Sequence, residues 1–171
     1  FTPPPPTPSL SGLVGSEMCI RDRENTMKKK IKIWSSGGVI LENNKILVCY
    51  RINENLYCLP KGTPENDEDI EETAIREVSE ETGINPKIIS KLGEVNYKIN
   101  KYLGNSRYKN NTEYNKTVHF FLMSKTSGSI NDHDDEFDKI LWMSLEEAKK
   151  KLTYQNEISI VEKAFYAKNK N

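Results

Sequence analysis

Cysteine is scarce in this chain and follows no regular spacing. Only three cysteines occur among 171 residues, Cys19, Cys49 and Cys58. An odd number without metal-ligand spacing argues against a disulfide framework and against a cysteine-based zinc site. Cys49 and Cys58 lie in apolar, strand-like contexts, so we interpret them as core residues rather than nucleophiles. Reduced thiols of this kind favour a cytoplasmic protein.

The chain also lacks an excess of charge and a long apolar run. Its 25 Lys and Arg residues balance its 25 Asp and Glu residues, so no bulk positive field favours nucleic acid or an anionic membrane. No segment approaches the roughly 18 consecutive apolar residues of a membrane-spanning helix. We therefore expect a small-molecule partner, and the composition leaves the oligomeric state open. The length favours one main folded domain.

The first 26 residues differ in composition from the rest of the chain. They combine a proline tract with a stretch that has no sustained period, before Met27 and the basic start MKKKIKIW. We interpret residues 1–26 as a non-native or disordered tail, and residues 27–171 as the folded domain. A native proline-rich arm is the alternative.

Strand-like segments and helical segments follow one another from Ile31 onward. Clusters of β-branched and aromatic residues predict strands in IKIWSSGGVILE, KILVCYR, NLYCLP, GEVNYKINKY, KTVHFFLMS and FDKILWMS, with a turn at Asn43-Asn44. Helices are predicted at about residues 68–83, 144–152 and 155–168. Mixed strands with separated helices indicate an α+β fold.

The first predicted helix carries a group of acidic residues on one side. At about 100° per residue, Glu77, Glu80 and Glu81 fall within an arc of roughly 100°. The neighbouring arc carries the apolar residues Ala74, Ile75 and Val78, which we expect to face the sheet. Like charges at this spacing repel each other. Three carboxylates without an interleaved lysine therefore indicate a hard divalent cation, which prefers oxygen ligands. A solvated acidic face is the alternative.

Two glycines and one arginine frame this acidic helix. Gly62 ends a predicted strand, where the absence of a Cβ atom allows a sharp turn and a close approach to a ligand. Gly83 follows the acidic turn, where a left-handed residue ends a helix at little cost. Arg76 can reach Glu80 one turn along the helix, or Glu68 before it, and so fix an acid in position.

The run from Gly62 to Ile84 matches a known motif at every specified position. It reads glycine, five residues, glutamate, seven residues, Arg-Glu, an aliphatic residue, any residue, Glu-Glu, any residue, glycine and an aliphatic residue. This run resembles the Nudix box, and the likeness to Nudix hydrolases extends from about Ser35 to Ala167. The resemblance implies an α/β/α sandwich with a mixed sheet and a loop-helix-loop catalytic motif.

The resemblance also implies a reaction, the hydrolysis of a diphosphate bond by water that a bound metal ion activates. Carried over position by position, Glu77, Glu80 and Glu81 would bind Mg²⁺, or Mn²⁺, together with the carbonyl of Lys61. One of the three glutamates would serve as the base, and Arg76 would hold an acid in place. A metal ion is suited to this reaction, because it neutralises the negative charge of the diphosphate and lowers the pKa of bound water.

The segments outside the box indicate the substrate less strongly. Pro60-Lys61-Gly62 resembles the opening of the box in Nudix enzymes that cleave diadenosine polyphosphates, whereas Glu65–Glu68 departs from the pattern of that subgroup. Lys116 resembles a lysine that faces the phosphates there, and Lys61 in the box opening is a second candidate substrate-binding lysine. Tyr108 and Tyr114 lie in a segment of mixed cations and aromatic residues, which is suited to gripping phosphate and stacking a base. A solvated hairpin loop is the alternative.

One further acid and several substrates complete the predictions. Glu136 precedes a predicted strand, where many Nudix enzymes place an extra glutamate near the metal; a solvated turn is the alternative. The expected substrate is a dinucleoside polyphosphate such as diadenosine tetraphosphate. Nucleoside triphosphates and diphosphoinositol polyphosphates are the alternatives for an enzyme. A catalytically silent Nudix module that only senses nucleotides is the alternative outside the enzymes.

Overall fold

The computed structural model describes residues 29–100 and 112–169. The segment 1–26 and Tyr108 therefore lie outside the described residues. The strands are β1 Lys29–Glu42, β2 Lys45–Arg51, β3 Leu56–Cys58, β4 Lys61–Gly62, β5 Ile84–Asn100, β6 Thr112–Gly128 and β7 Lys139–Ser144. The α-helices are α1 Ile70–Thr82, α2 Leu145–Lys151 and α3 Gln155–Lys168. All three predicted helices are confirmed; the ends of α1 and α2 differ from the prediction by one or two residues, and the ends of α3 agree with it.

The first hairpin forms where the sequence predicts its turn. Asn43 and Asn44 have positive φ angles of 48° and 57°, the left-handed conformation that a two-residue hairpin turn requires. Glu42 and Lys45 face each other across this turn. The turn predicted at Asn43-Asn44 is therefore confirmed.

The strands form one mixed sheet. Its order is β3-β2-β1-β6-β5, with β4 paired to β1 and β7 paired to β2. β1 and β6 run parallel, from Lys29 opposite Thr112 to Ile40 opposite Met123, and the other neighbouring strands are antiparallel. A parallel pair needs a long connection, which the intervening strands and α1 supply here. The predicted mixed sheet is confirmed.

Helices cover both faces of this sheet. Successive residues of β6 alternate between two cores, because side chains along a strand point to opposite faces. Phe121 and Met123 pack in the core that contains α1, whereas Phe120 and Leu122 pack in the core that contains α3. The predicted α/β/α sandwich is confirmed. None of the described helices is long and apolar enough to cross a membrane.

Cys49 and Cys58 lie opposite each other on β2 and β3, with free thiols. Both residues are buried in the core. Burial raises the pKa of both thiols, to about 11 for Cys58. Because the thiolate is the reactive form, such thiols are poor nucleophiles, and the assignment of both residues to the core is confirmed.

Strand β5 is longer than the sequence indicates. The predicted strand starts at Gly93, but β5 begins at Ile84, directly after α1. Its pairing with β6 shifts register between Asn85 and Pro86, where proline cannot donate a ladder hydrogen bond. The proline interrupts the apolar pattern without ending the strand, so the predicted start of this strand was wrong.

Candidate active site

Helix α1 has well-defined caps at both ends. The Asp69 carboxylate accepts hydrogen bonds from the N–H groups of Glu71 and Glu72, and the Glu72 side chain accepts one from the Asp69 N–H. At the other end, Gly83 adopts a left-handed φ of 70°, and its N–H donates to the carbonyl of Ser79. The predicted helix stop at Gly83 is confirmed. The two caps fix where the acidic turn lies against the sheet.

Strand β4 lies against α1 at Gly62. A Cβ atom at this position would overlap the Glu77 carboxylate, so a residue with a side chain would displace that acid. The Glu77 side chain is mostly buried. Burial raises the pKa of Glu77, Arg76 opposes the shift, and the charge of Glu80 adds to it. The close backbone approach expected at Gly62 is thus an approach to an acid of the box.

Glu81 is the most buried of the three acids. Its residue surface is 2% exposed, and its Oε2 accepts a hydrogen bond of 2.8 Å from the backbone N–H of Lys61. Burial raises the pKa of Glu81 to about 9, the positive charge of Lys61 opposes this shift, and the charges of Glu136 and Glu77 add to it. The protein alone therefore compensates the negative charge of Glu81 incompletely.

Arg76 connects the acids of the box to the loop before α1. Its guanidinium donates to the two oxygens of Glu68 at 2.7 and 2.9 Å and to the carbonyl of Thr63 at 2.9 Å. It also lies 3.0 Å from the exposed Glu80 carboxylate and 3.1 Å from that of Glu77. The pairing with Arg76 lowers the pKa of Glu68 to about 2. The structure thus contains both contacts that the sequence allowed, with Glu68 and with Glu80.

Glu136 lies near the buried acids although it is distant from them in sequence. Its negative charge contributes to the raised pKa of both Glu81 and Glu77. Its own carboxylate lies 3.2 Å from the Arg51 guanidinium and is half exposed. The structure therefore brings Glu136 together with the box, and its part in the chemistry stays a prediction.

The donor set fits a hard divalent cation. The carboxylates of Glu77 and Glu81 are shielded from water and repel each other, and Glu136 adds to that repulsion. A cation shared among them would offset this unfavourable charge. In the described ranges, no group of three or more His, Cys, Asp or Glu side chains is already gathered as a metal cage.

The Lys61 side chain contacts the helix layer on the other face of the sheet. Its ammonium lies 3.0 Å from Glu157 of α3, donates to the Leu59 carbonyl at 3.1 Å, and lies 5.7 Å from the centre of the Tyr154 ring. Glu157 is fully buried, and its second oxygen accepts the Leu59 N–H at 2.9 Å. The ammonium of this predicted substrate ligand is thus engaged within the protein, and its role in substrate binding stays a prediction.

A polar and aromatic group, which we call the α3-side cluster, comprises Lys61, Tyr97, Lys116, Tyr154 and Glu157. Tyr97 lies directly opposite Lys116 in the β5–β6 ladder, so the two side chains share one face of the sheet. The Tyr97 ring meets that of Tyr154 edge-on, with ring centroids 6.0 Å apart. Within the described part of the chain, the buried Tyr97 hydroxyl has no hydrogen-bond partner.

The sequence predicts only part of the α3-side cluster. Lys61 and Lys116 were predicted as substrate-binding residues, whereas Tyr97, Tyr154 and Glu157 were not predicted to belong to the site. Glu157 could have been found as an acid within the buried face of the predicted helix 155–168. Tyr114 is two residues before Lys116 on β6 and is buried, and its predicted contact with a base stays a prediction.

A profile of the NUDIX domain family matches residues 34–164 of this chain. A protein of Mycobacterium tuberculosis (strain CDC 1551 / Oshkosh) that bears the mutator-protein name MutT4 is 36% identical over 152 residues. That alignment covers 83% of this chain and 58% of the relative. The chain spans between 35% and 58% of the lengths of the curated relatives that it matches.

Solved structures show the same fold. A NUDIX hydrolase from Nitrosomonas europaea has a TM-score of 0.65 at 21% identity, covering 80% of this chain and 90% of that one. A C. elegans Ap4A hydrolase binary complex has a TM-score of 0.58 at 20% identity, covering 80% and 98%. Identities this low support a shared fold alone. With the complete box on a capped helix and a family match over most of the described residues, the chain belongs to the Nudix hydrolase family.

Proposed function

We propose that this protein is a metal-dependent pyrophosphohydrolase that cleaves a diphosphate bond in a nucleoside-diphosphate-linked substrate. The observation that carries the proposal is the placement of the box acids: Glu77 and Glu81 lie on one capped helix, and Glu81 is 2% exposed with one oxygen hydrogen-bonded to the Lys61 N–H. A divalent cation held by Glu77, Glu80 and Glu81, with Mg²⁺ as the first choice and Mn²⁺ as the second, would neutralise the diphosphate and acidify bound water.

The residues of this chain have separate tasks in such a reaction. The Lys61 N–H donates to one Glu81 oxygen, which fixes this carboxylate against the backbone of β4. Arg76 ties Glu80 to the loop before the helix and so restricts where that carboxylate can move. One of the three box acids would accept the proton of the attacking water. No covalent intermediate with the protein is needed.

The reaction is tested by a screen for phosphate or nucleotide release with and without Mg²⁺. The substrates are diadenosine polyphosphates, nucleoside triphosphates, sugar nucleotides, diphosphoinositol polyphosphates and capped RNA. We expect hydrolysis that requires the metal and stops on addition of EDTA. Binding of nucleotides without hydrolysis of any of them would instead favour the nucleotide-sensing module.

We further propose that the substrate is a dinucleoside polyphosphate such as diadenosine tetraphosphate. The α3-side cluster supports this choice, because it combines the cationic Lys116 with the Tyr97 and Tyr154 rings on one face of the sheet. Tyr154 is 39% exposed, so part of its ring is available to a ligand. Stacking of a base on an aromatic ring contributes about 1–3 kcal/mol in other nucleotide-binding proteins. A long polyphosphate also carries more negative charge for a lysine to attract.

A comparison of two substrates tests this choice. We expect the wild type to prefer diadenosine tetraphosphate over ADP-ribose in kcat/KM at fixed Mg²⁺, and Lys116→Ala to narrow that preference by about tenfold. Lys125→Ala is the matched control, since Lys125 lies on the same strand and is exposed. Equal losses on both substrates, or no initial preference, would favour the alternative substrates and leave the proposed reaction standing.

Nucleoside triphosphates are the alternative with an observation of their own. A relative from Mycolicibacterium smegmatis (strain ATCC 700084 / mc(2)155) that is named 8-oxo-(d)GTP phosphatase is 26% identical over 152 residues, covering 81% of this chain and 43% of the relative. Diphosphoinositol polyphosphates remain the second alternative from the box opening. In the screen, a higher kcat/KM for either class than for diadenosine tetraphosphate would select that class.

A further inference from the structure

Lys61 contacts a buried acid in each of the two helix layers. Its backbone N–H donates to Glu81 of α1 at 2.8 Å, while its ammonium lies 3.0 Å from Glu157 of α3. Glu81 is 2% exposed and Glu157 is fully buried. One residue of β4 therefore joins an acid of the Nudix box to an acid that lies outside the motif.

The ammonium of Lys61 contacts three groups within the protein. A lysine ammonium has three N–H donors, and here the Glu157 carboxylate, the Leu59 carbonyl and the Tyr154 ring surround it. The Lys61 side chain is only 16% exposed. Glu157 is itself anchored, because its second oxygen accepts the Leu59 N–H. The ion pair is therefore held from both sides.

Removal of the Glu157 charge would leave a buried cation without its main counter-charge. Such a cation must find another anion or destabilise the fold, because an isolated charge is costly away from water. Glu81 is the other carboxylate whose charge already acts on Lys61. It accepts a hydrogen bond from the backbone N–H of the same residue, so it lies next to the position from which the Lys61 side chain extends.

We propose that Glu157 is a positioning residue that holds the Lys61 ammonium away from Glu81 and so leaves the Glu81 carboxylate available to a divalent cation. This inference rests on the proposed metal-dependent function. It gives α3, which carries no residue of the Nudix box, a direct influence on the metal affinity of α1. The lysine of the Pro60-Lys61-Gly62 opening would then serve the metal site through its backbone, while its side-chain charge is kept in an ion pair.

The experiment measures Mn²⁺ binding to the substrate-free protein by electron paramagnetic resonance. Glu157→Gln keeps the size of the side chain and an acceptor for the Leu59 N–H, but it removes the charge. We expect the Kd for Mn²⁺ to rise about tenfold in this variant, because the released ammonium competes with the metal for Glu81. In the double variant Lys61→Met/Glu157→Gln no ammonium remains, and we expect the Kd to return to within about twofold of wild type.

A matched control separates this effect from a general loss of stability. Glu162→Gln removes the acid of another α3 ion pair, in which Lys149 lies 2.8 Å from Glu162, and this pair does not touch the box. It should leave the Kd for Mn²⁺ unchanged. Thermal melting of all variants shows whether metal affinity follows Tm. If Glu157→Gln fails to fold, the double variant still tests the proposal, because a raised Kd there would show that Glu157 acts on the metal site without the Lys61 ammonium and would overturn the inference.

The outcomes distinguish the inference from the function on which it rests. A wild type that binds no Mn²⁺ overturns the metal-dependent function and this inference together. Wild-type binding with an unchanged Kd in Glu157→Gln, or with an equal loss in the double variant, overturns the role of Glu157 alone. In activity assays with Mg²⁺, we expect Glu157→Gln to need about tenfold more metal and to regain most of its kcat at saturation. A low kcat that metal cannot restore would likewise overturn the inference.

Discussion

Replacement of Glu81 by glutamine should stabilise the metal-free protein and inactivate the enzyme. Glutamine retains the size of the side chain and can still accept the hydrogen bond from the Lys61 N–H. It removes a charge that burial makes unfavourable, since the pKa of Glu81 is raised from its ordinary 4.5 to about 9. This one substitution thus distinguishes the effect of the Glu81 charge on the free energy of unfolding from its effect on turnover.

The sign and size of this effect follow from proton linkage. Between pH 4.5 and about 9, folded Glu81 holds a proton that the unfolded chain has released, so the free energy of unfolding falls as pH rises through this window. A pH of 7 lies about 2.5 units above the ordinary pKa of 4.5 that Glu81 has in the unfolded chain. The free energy of unfolding is therefore lowered by about 3 kcal/mol at pH 7, at about 1.36 kcal/mol per unit. A stabilisation of that order raises Tm by roughly 5–10 °C in a domain of this size.

The assay is thermal melting in EDTA across pH 5 to 9, followed by kinetics with Mg²⁺. We expect Glu81→Gln to melt higher than wild type near pH 7, with a flatter dependence of Tm on pH. Added Mg²⁺ should raise the Tm of wild type more than that of the variant. Turnover should fall at least about a hundredfold. A lower Tm in EDTA would refute the electrostatic reasoning, and unchanged turnover would refute the assignment of Glu81 as a ligand.

Two further substitutions probe the surroundings of the acids. Arg76→Ala removes the arginine partner of the Glu68 carboxylate, so we expect Tm to fall by several degrees and kcat to fall at least about tenfold. Lys149→Ala, which removes the basic residue of an exposed ion pair, is the control. Near-normal Tm together with near-normal kcat would contradict this role. Gly62→Ala places a Cβ atom against the Glu77 carboxylate, and we expect at least about a tenfold loss of kcat with a lowered affinity for Mn²⁺. Unchanged metal binding in this variant would show that Glu77 can move aside without consequence.

The helix of the box could be predicted in detail because its determinants are local. The spacing of Glu77, Glu80 and Glu81 sets their common side, and Gly83 ends the helix with its own backbone conformation. The contact of Arg76 with Glu80 also lies within one turn of this helix. Interactions over such short separations depend on helix geometry alone, so the sequence determines them before any packing is known.

The β5–β6 ladder shows that local sequence patterns are insufficient to predict the extent of a strand and its pairing. Pro86 interrupts the apolar alternation, and the strand continues through it only because β6 supplies a partner across a shift in register. Tyr97 faces Lys116 for the same reason. Pairing between strands is decided by register, which a single-strand pattern does not contain.

The partner of Lys61 was decided only by the tertiary structure. From the sequence this lysine is a candidate substrate ligand at the opening of the box, yet its ammonium lies against Glu157 of α3. The hydrogen bond that anchors Glu157 joins residues 98 positions apart, from the Leu59 N–H to the carboxylate. No local pattern selects that pair. It forms because α3 packs against β1, the strand with which β4 pairs, and because a buried charge there must have a partner.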